Sequence, residues 1–527
     1  MDPSEQSYTQ PEKNLVRERI ISASVKALTS ERASSPVVPV DVFHKTIEYA
    51  SRFLAEHGGI YVEDDLKPHV ANWVALHGSR VGTKKPSELQ VLFLAGPDPT
   101  NDLMEFRKCG VSYENIWAIE SDKDNFGKAV KALERQGIRV KLHRGSLQTF
   151  FALVPQQFDI VYFDATAPLF GGEPNTINVI RELVLNQRLA PLSVLVTNFA
   201  EPNKDGKSAA IWGKRLGTWA YANGTMDTWT EQFPEFVDGH VLPQLPQVYG
   251  EFVTKFLIRF CSQLVPWWRA VALPGSKREY FSKEGKLAEA AQSAATTYEM
   301  FSHELYPLLR TVLFASDYLD KGDMMSRLLF VESLESTKLG DAVKIVSLIR
   351  TFYEQHFDGV FCSTQHILDA CSPELVKVLS SFQWFDQRHR MFCDTPLPNL
   401  ITDLLLGLYG FPYHANVQKL QRFAYKAKET VMFTDIIVLD QARYMYDLLP
   451  TLPLFDTDFS LSQQLVLRVC MDALHRHCHY GCKDLFMGSA LAEMGVEGFT
   501  VWLPSARESV GNLEISFKEP DADGYES

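Results

Sequence analysis

Between residues 85 and 204 the chain alternates short apolar runs with amphipathic stretches at a regular spacing. Gln90-Val91-Leu92-Phe93-Leu94-Ala95 is an apolar run that stops at Gly96, and the spacing from Asn101 to Cys109 predicts a helix. Ile116 to Glu120 reads as a second strand. Asp122 to Gln136 reads as an amphipathic helix with an acidic cap in front and Gly137 behind it. Arg139 to His143 and Phe158 to Asp164 continue the strands, Asn175 to Leu189 reads as a helix, and Ser193 to Asn198 as a fifth strand. Strands alternating with helices predict a parallel α/β sheet with helices on both faces. Because crossovers are right-handed, the expected form is doubly wound.

On either side the pattern changes. Residues 1–38 are polar and end in Ser34-Ser35-Pro36, which predicts a flexible tail with room for one short helix. Residues 39–84 read as a helical extension: Phe43, Ile47, Ala50, Phe53 and Leu54 recur at helical spacing, His57-Gly58-Gly59 stops that helix, and a second segment runs from Asp64 or Asp65 to Leu76. Residues 205–450 read as a large, mostly helical domain. Its clearest segments are Lys286 to Leu319, Leu339 to His356, Pro373 to Phe382 and Val417 to Leu449. Leu273-Pro274-Gly275, Asp394 to Pro398 and Leu449 to Pro453 supply its turns. Residues 451–527 are expected to hold a last helix, Ser460 to His477, and an acidic tail from Lys518.

Length and charge narrow the functions. A chain of 527 residues is expected to hold more than one domain. The formal charge of −13 gives no sign of a nonspecific grip on nucleic acid or an anionic membrane, although a local basic groove is compatible with it. No apolar run is long enough for a membrane span, the N-terminus lacks a secretory signal pattern, and the eight cysteines are scattered. These features together predict a cytoplasmic protein with reduced thiols.

The chemistry converges on the carboxyl ends of the strands, where an open parallel sheet binds ligands. After strand one, Ala95-Gly96-Pro97 offers a residue without a Cβ and a following helix N-terminus. Glu120, followed by Ser121, ends strand two with a carboxylate able to accept both hydroxyls of a ribose. Gly145-Ser146-Leu147 makes a turn after strand three suited to a flat base, and Asp164 ends strand four. Taken one at a time these residues have plain structural roles: a tight turn at Gly96 or Gly145, a cap at Glu120 or Asp164.

In this order the segment from Leu89 to Asn203 resembles the class I S-adenosylmethionine (SAM)-dependent methyltransferases. Leu94-Ala95-Gly96-Pro97 stands at the family's glycine-rich first motif, Ile119-Glu120-Ser121 at its ribose-binding acidic position, Gly145-Ser146-Leu147 at its adenine turn and Asp159 to Pro168 at its fourth motif. The resemblance implies a Rossmann-like methyltransferase sheet and SAM as cofactor. It also implies a role for Asp164 in orienting the donor or taking a proton from the acceptor. The chain departs from the family at Pro97 and Pro99, which stiffen a loop that is glycine-rich elsewhere. Asp164 with Pro168-Leu169-Phe170-Gly171 also resembles, loosely, tRNA guanine N2-methyltransferases and spermidine-synthase-like aminopropyltransferases. The functions carried forward are a methyltransferase of unidentified acceptor, an aminopropyltransferase using decarboxylated SAM, and a noncatalytic methyltransferase-like subunit acting as ligand sensor or scaffold. The helical half is expected to select substrate or to bind a protein partner or a second copy.

Three further patterns read as structural. Cys470, His475, His477, Cys478, His479 and Cys482 are ligand types zinc prefers, but no clean Cys-x-x-Cys occurs and no metal site is predicted. Arg443 and Asp447 are spaced to pair on one helix face. Val265-Pro266-Trp267-Trp268-Arg269 suits packing better than base stacking. Gly-x-Ser-x-Gly and the phosphate loop are both absent, with Glu201 where the loop's first glycine belongs, so hydrolase and NTPase chemistry lack a basis.

Overall fold

The computed structural model describes residues 11–48, 63–170, 176–203, 205–220, 237–266, 411–449, 461–478 and 506–511, with the single positions 269, 407, 410, 513 and 515. The expected helices within 286–382, the turns at 273–275, 394–398 and 450–453, the His57-Gly58-Gly59 stop, and the tail from 518 lie outside the described residues.

A nine-stranded mixed sheet with helices on both faces organises these residues. Strands β1 (Val91–Leu94), β2 (Ile116–Glu120), β3 (Lys141–Arg144), β4 (Phe158–Asp164) and β5 (Leu189–Ala200) pair in parallel in the order β3-β2-β1-β4-β5. The order reverses between β1 and β4, which leaves a crevice at their carboxyl ends. β6 (His414–Ala415), β7 (Gln421–Ala427), β8 (Thr430–Asp440) and β9 (Glu508–Val510) complete the sheet. β8 runs antiparallel to β5 over nine residue pairs, from Leu192 with Asp440 to Ala200 with Met432. β7 pairs with β8 and with β9.

Each face of the sheet carries its own core. On one face, Val91, Phe93, Ile160, Tyr162, Val194, Val196, Ile436 and Val438 pack under α1 (Pro11–Leu28), α2 (Glu63–Val81), α3 (Thr100–Lys108) and α4 (Lys123–Gln136). On the other, Leu92, Val161, Phe163, Leu195, Phe433 and Ile437 meet α5 (Leu147–Leu153), α6 (Thr176–Leu185), α7 (Gly206–Ala220) and α8 (Leu245–Arg259). Capping fixes α4 as its sequence predicts: the Asp122 carboxylate accepts from the amides of Asp124 and Asn125, and Gly137 closes the helix at φ +64°.

Two expectations are corrected. The first concerns residues 1–38, which are not all a flexible tail. Residues 11–28 form α1, whose Val16, Ile20, Ile21, Val25 and Leu28 are buried against the sheet. Burying five such side chains stabilises the fold by several kcal/mol, far more than an isolated helix of this length gains from hydrogen bonding alone. The following segment is also tied down, since the Val37 amide donates to Asp440 Oδ2 (3.0 Å) and Asn416 Nδ2 donates to the Ser35 and Pro36 carbonyls.

The second correction concerns Val417 to Leu449, which is not one helix. It holds the β7–β8 hairpin, followed by the short helix α9 (Arg443–Tyr446). Strand order decided the outcome: β5 needs a partner on its far edge, and every residue of β8 after Thr430 is buried there. The sheet therefore extends well beyond residues 85–204. Within 205–450 the described helices α7 and α8 agree with a helical reading, and residues 414–440 do not. Arg443 and Asp447 do pair, at the end of α9. α10 (Leu461–Ala473) matches the last helix expected from the sequence. No helix among the described residues is long and apolar enough to cross a membrane.

Candidate functional site

The carboxyl ends of β1 to β5 bring Gly96, Glu120, Gly145 and Asp164 to one edge of the sheet, as their positions in the sequence predict. At β1, the Ala95 amide donates to the Ile119 carbonyl (2.9 Å), which ties the strand end to β2. Gly96 then turns at φ +58°, and a Cβ built there would have no atom within 4 Å. The turn thus needs glycine for its backbone, and the space beside it is open. Pro97 and Pro99 bracket Asp98, whose Oδ1 accepts from the Thr100 amide (3.1 Å) and hydroxyl (2.6 Å). This short side-chain turn starts α3 without help from the Gly96 backbone.

At β2, Glu120 is half-buried, and its Oε1 accepts from the Asp122 amide (2.8 Å). Its other oxygen has no partner among the described residues. The carboxylate thus combines a local capping role with one free acceptor at the sheet edge. Ser121 beside it is exposed. The Gly145 amide donates to the Glu120 carbonyl (3.0 Å), and a Cβ on Gly145 would come within 2.9 Å of His143 Nε2. Ser146 caps α5 by accepting from the Thr149 amide (3.1 Å). Leu147 points into the core, so its side chain serves packing and only its backbone borders the edge.

Asp164 is the most heavily engaged of the predicted residues. Its Oδ1 accepts from Asn198 Nδ2 (2.5 Å), and its Oδ2 pairs with Lys13 Nζ at 2.9 Å. Asn198, 1 % exposed, is pinned from three sides, because Nδ2 also donates to the Tyr425 hydroxyl (3.0 Å) and Oδ1 accepts from the Thr434 hydroxyl (2.8 Å). Strands β5, β7 and β8 together therefore orient one carboxylate at the end of β4. Beside it, Arg17 Nε pairs with Asp102 Oδ1 at 2.7 Å. Burial opposes both charges of that pair. It pushes the Asp102 carboxyl up, whereas the neighbouring carboxylates, Asp102 first, more than offset it for Arg17 and hold the guanidinium charged. Tyr162, buried next to them, is pushed up by burial and by the Asp164 and Asp102 charges, so it stays a neutral phenol.

Lys13, Arg17, Asp102, Asn198 and Tyr425 were not singled out by the sequence. The one local signal was the apolar spacing of Val16, Ile20 and Val25 in α1, which marks a buried helix face and hence a helix that reaches the sheet.

The remaining candidates are structural where they are described. Cys470 and Cys478 are buried, and burial pushes the Cys470 thiol up, away from the thiolate a metal needs. His414 Nδ1 donates to the Cys478 carbonyl (3.1 Å), leaving Nε2 to accept from the Tyr446 hydroxyl (2.8 Å). His479 and Cys482 lie outside the described residues, among which no group of three or more His, Cys, Asp or Glu side chains could hold a metal ion. Of the run Val265 to Arg269, Trp267 and Trp268 also lie outside; Arg269 stacks over Phe411, 5.2 Å from the ring centre.

In chemical terms the edge offers an open left-handed turn, a half-buried carboxylate with one free oxygen on the next strand, and a rigidly held carboxylate closed by a lysine. The first leaves room beside the backbone, the second offers an acceptor to a hydrogen-bond donor, and the third holds the Lys13 ammonium. Comparison with known proteins gives no matching family model and no matching curated protein.

Proposed function

We propose that this chain is a SAM-dependent methyltransferase built on a doubly wound, Rossmann-like sheet, with the donor lying across the carboxyl ends of β1, β2 and β3. The observation that carries the reading is the pairing of Gly96, open and left-handed at the point where strand order reverses, with the free oxygen of Glu120 on the adjacent strand. The order β3-β2-β1-β4-β5 also matches the first five strands of the dinucleotide-binding sheet.

In this reading Ala95, Gly96 and Pro97 line the methionine end, Glu120 and Ser121 hold the ribose, and the backbone of Gly145, Ser146 and Leu147 borders the adenine. SAM supplies an electrophilic methyl group when bound. The chain's own part is to bind it, exclude water and hold an acceptor in line with it, which by itself accounts for much of the acceleration in such transfers. Asp164, fixed by Asn198, orients what approaches from the β4 side.

Calorimetric titration with SAM and S-adenosylhomocysteine tests the reading. Wild-type protein is expected to show saturable binding, and Glu120→Ala to weaken it by about 10- to 100-fold, as losing one or two hydrogen bonds to a charged acceptor requires. Absence of binding by the wild type would remove the reading.

One observation favours the noncatalytic alternative. Both oxygens of Asp164 are already engaged, one by Asn198 and one by Lys13. A sensor would bind its ligand and transfer nothing, and a scaffold would bind no adenosyl compound and form a stable complex instead.

A further inference from the structure

Two carboxylates lie near each other by the end of β4, Asp164 on the strand and Asp102 buried on α3, and the cations paired with both come from one helix. Arg17 neutralises Asp102 and Lys13 neutralises Asp164. The two pairs differ in access. The side chains of Arg17 and Asp102 are 11 % and 13 % exposed, whereas those of Lys13 and Asp164 are 28 % and 19 % exposed. Arg17 therefore ties α1 to α3, and Lys13 reaches the more open position at the end of β4. Asp164 is also held more rigidly than an ordinary surface ion pair requires. Asn198 takes one oxygen, Tyr425 and Thr434 fix Asn198, and the remaining oxygen pairs with Lys13. Among the described residues, one carboxylate oxygen beside an amide gives too few oxygen ligands for calcium or magnesium. It matches one ammonium group.

We propose that Asp164 Oδ2 is the seat of the acceptor, that the acceptor is a primary aliphatic amine on a lysine-like side chain, and that Lys13 occupies this seat in cis as an internal substitute for it. The proposal rests on the methyltransferase reading and names its substrate class. Removing the Lys13 ammonium takes from Asp164 Oδ2 its ion-pair partner and leaves the place an incoming lysine would fill. For transfer, the incoming ammonium gives one proton to solvent, because a carboxylate is roughly 6 pH units too weak a base to take it. The neutral amine keeps an N–H donated to Asp164 Oδ2. Its lone pair forms the N–C bond to the methyl carbon as the C–S bond breaks. The electron pair of that bond stays on sulfur, and the product is a methylated ammonium and a neutral thioether.

The test uses the full chain, SAM carrying a labelled methyl group, and a peptide of residues 8–20, in which Lys13 is the only lysine. A tethered lysine presents itself at an effective concentration on the order of millimolar, so a peptide added at ~0.1 mM competes poorly, and Lys13→Ala is expected to raise transfer to it by about tenfold. Lys13→Met, which keeps an unbranched helix-forming side chain, reads the same point if the alanine variant does not fold. The peptide carrying Lys13→Arg is expected to accept no label. Equal transfer by wild type and variant overturns the proposal, as does no transfer by the variant while calorimetry shows it binds SAM. If neither protein binds SAM, the methyltransferase reading fails and takes this proposal with it.

Discussion

At the scale of single residues, the edge of the sheet depends on backbone geometry as much as on side chains. Gly96 adopts φ +58° with open space where a Cβ would stand, so Gly96→Ala meets no neighbour and is opposed only by its own backbone. The expected cost is about 1–2 kcal/mol, the penalty of a left-handed conformation for a residue with a Cβ. The urea-unfolding midpoint should fall correspondingly while the fold persists, and SAM affinity should fall further, since the methyl group projects into the space assigned to the donor. An unchanged affinity would move the donor away from Gly96. Gly96, Glu120 and Asp164 were legible in the sequence because each terminates an apolar run or follows one directly, and Gly145 because it marks the turn after a short strand. Lys13 and Arg17 were not. Arg17 lies 85 positions from Asp102, and a pairing across that distance leaves no periodic trace.

Among elements, the β1–α3–β2–α4 portion was legible nearly to the residue, through apolar strands and the caps at Asp122 and Gly137. The β7–β8 hairpin was not, for two physical reasons. β8 is buried on both faces, with Thr434 and Asp435 inside two apolar runs, so its sequence lacks the alternation that marks a half-exposed strand. Its turn is Lys428-Glu429, with Lys428 at φ +57°, in place of the Asn-Gly or Asp-Gly pair that signals such a turn. The β-branched and aromatic content of Thr430 to Val438 was the available clue.

The docking of α2 on the segment around Val38 carries a pH dependence. His77 is buried between Trp73 and Tyr444 and donates from Nε2 to the Val38 carbonyl (3.2 Å). Burial lowers its pKa below the free value of 6.5, the backbone bond offsetting this only in part. A group depressed in the folded state contributes stability that is present above pH 6.5 and is lost as the pH falls through the folded value. Between about pH 7.5 and pH 5 the wild-type Tm should therefore drop more than that of His77→Phe. Parallel curves would show that His77 does not charge on unfolding.

Across the whole molecule, remote parts of the chain meet at one buried ion pair. Arg507 and Asp435 are 2.8 Å apart with side chains 0 % and 1 % exposed. Arg507 also donates to the carbonyls of Gly250 and Phe423 and, like Asp435, bonds the Thr254 hydroxyl. The residues before β9, α8 and the β7–β8 hairpin are thus joined through one guanidinium. Arg507→Met alone leaves Asp435 buried without its cation and is expected to cost about 3–5 kcal/mol in urea unfolding; the double variant with Asp435→Leu should recover much of that loss. If the double variant were no more stable than the single one, the hydrogen bonds to Gly250, Phe423 and Thr254 would outweigh the ion pair. The same long reach governs how the protein is made. β5 ends at Ala200, and the strand that covers its edge, β8, begins at Thr430. At ribosomal speeds of about 5–20 residues per second, that separation keeps the edge of β5 waiting roughly 12–46 s for its partner. Throughout that interval a row of unpaired amides and carbonyls on an apolar strand is open to any other extended chain nearby. A nascent chain of this protein is therefore most exposed to mispairing and to chaperone capture after its parallel strands have been synthesised and before the hairpin emerges.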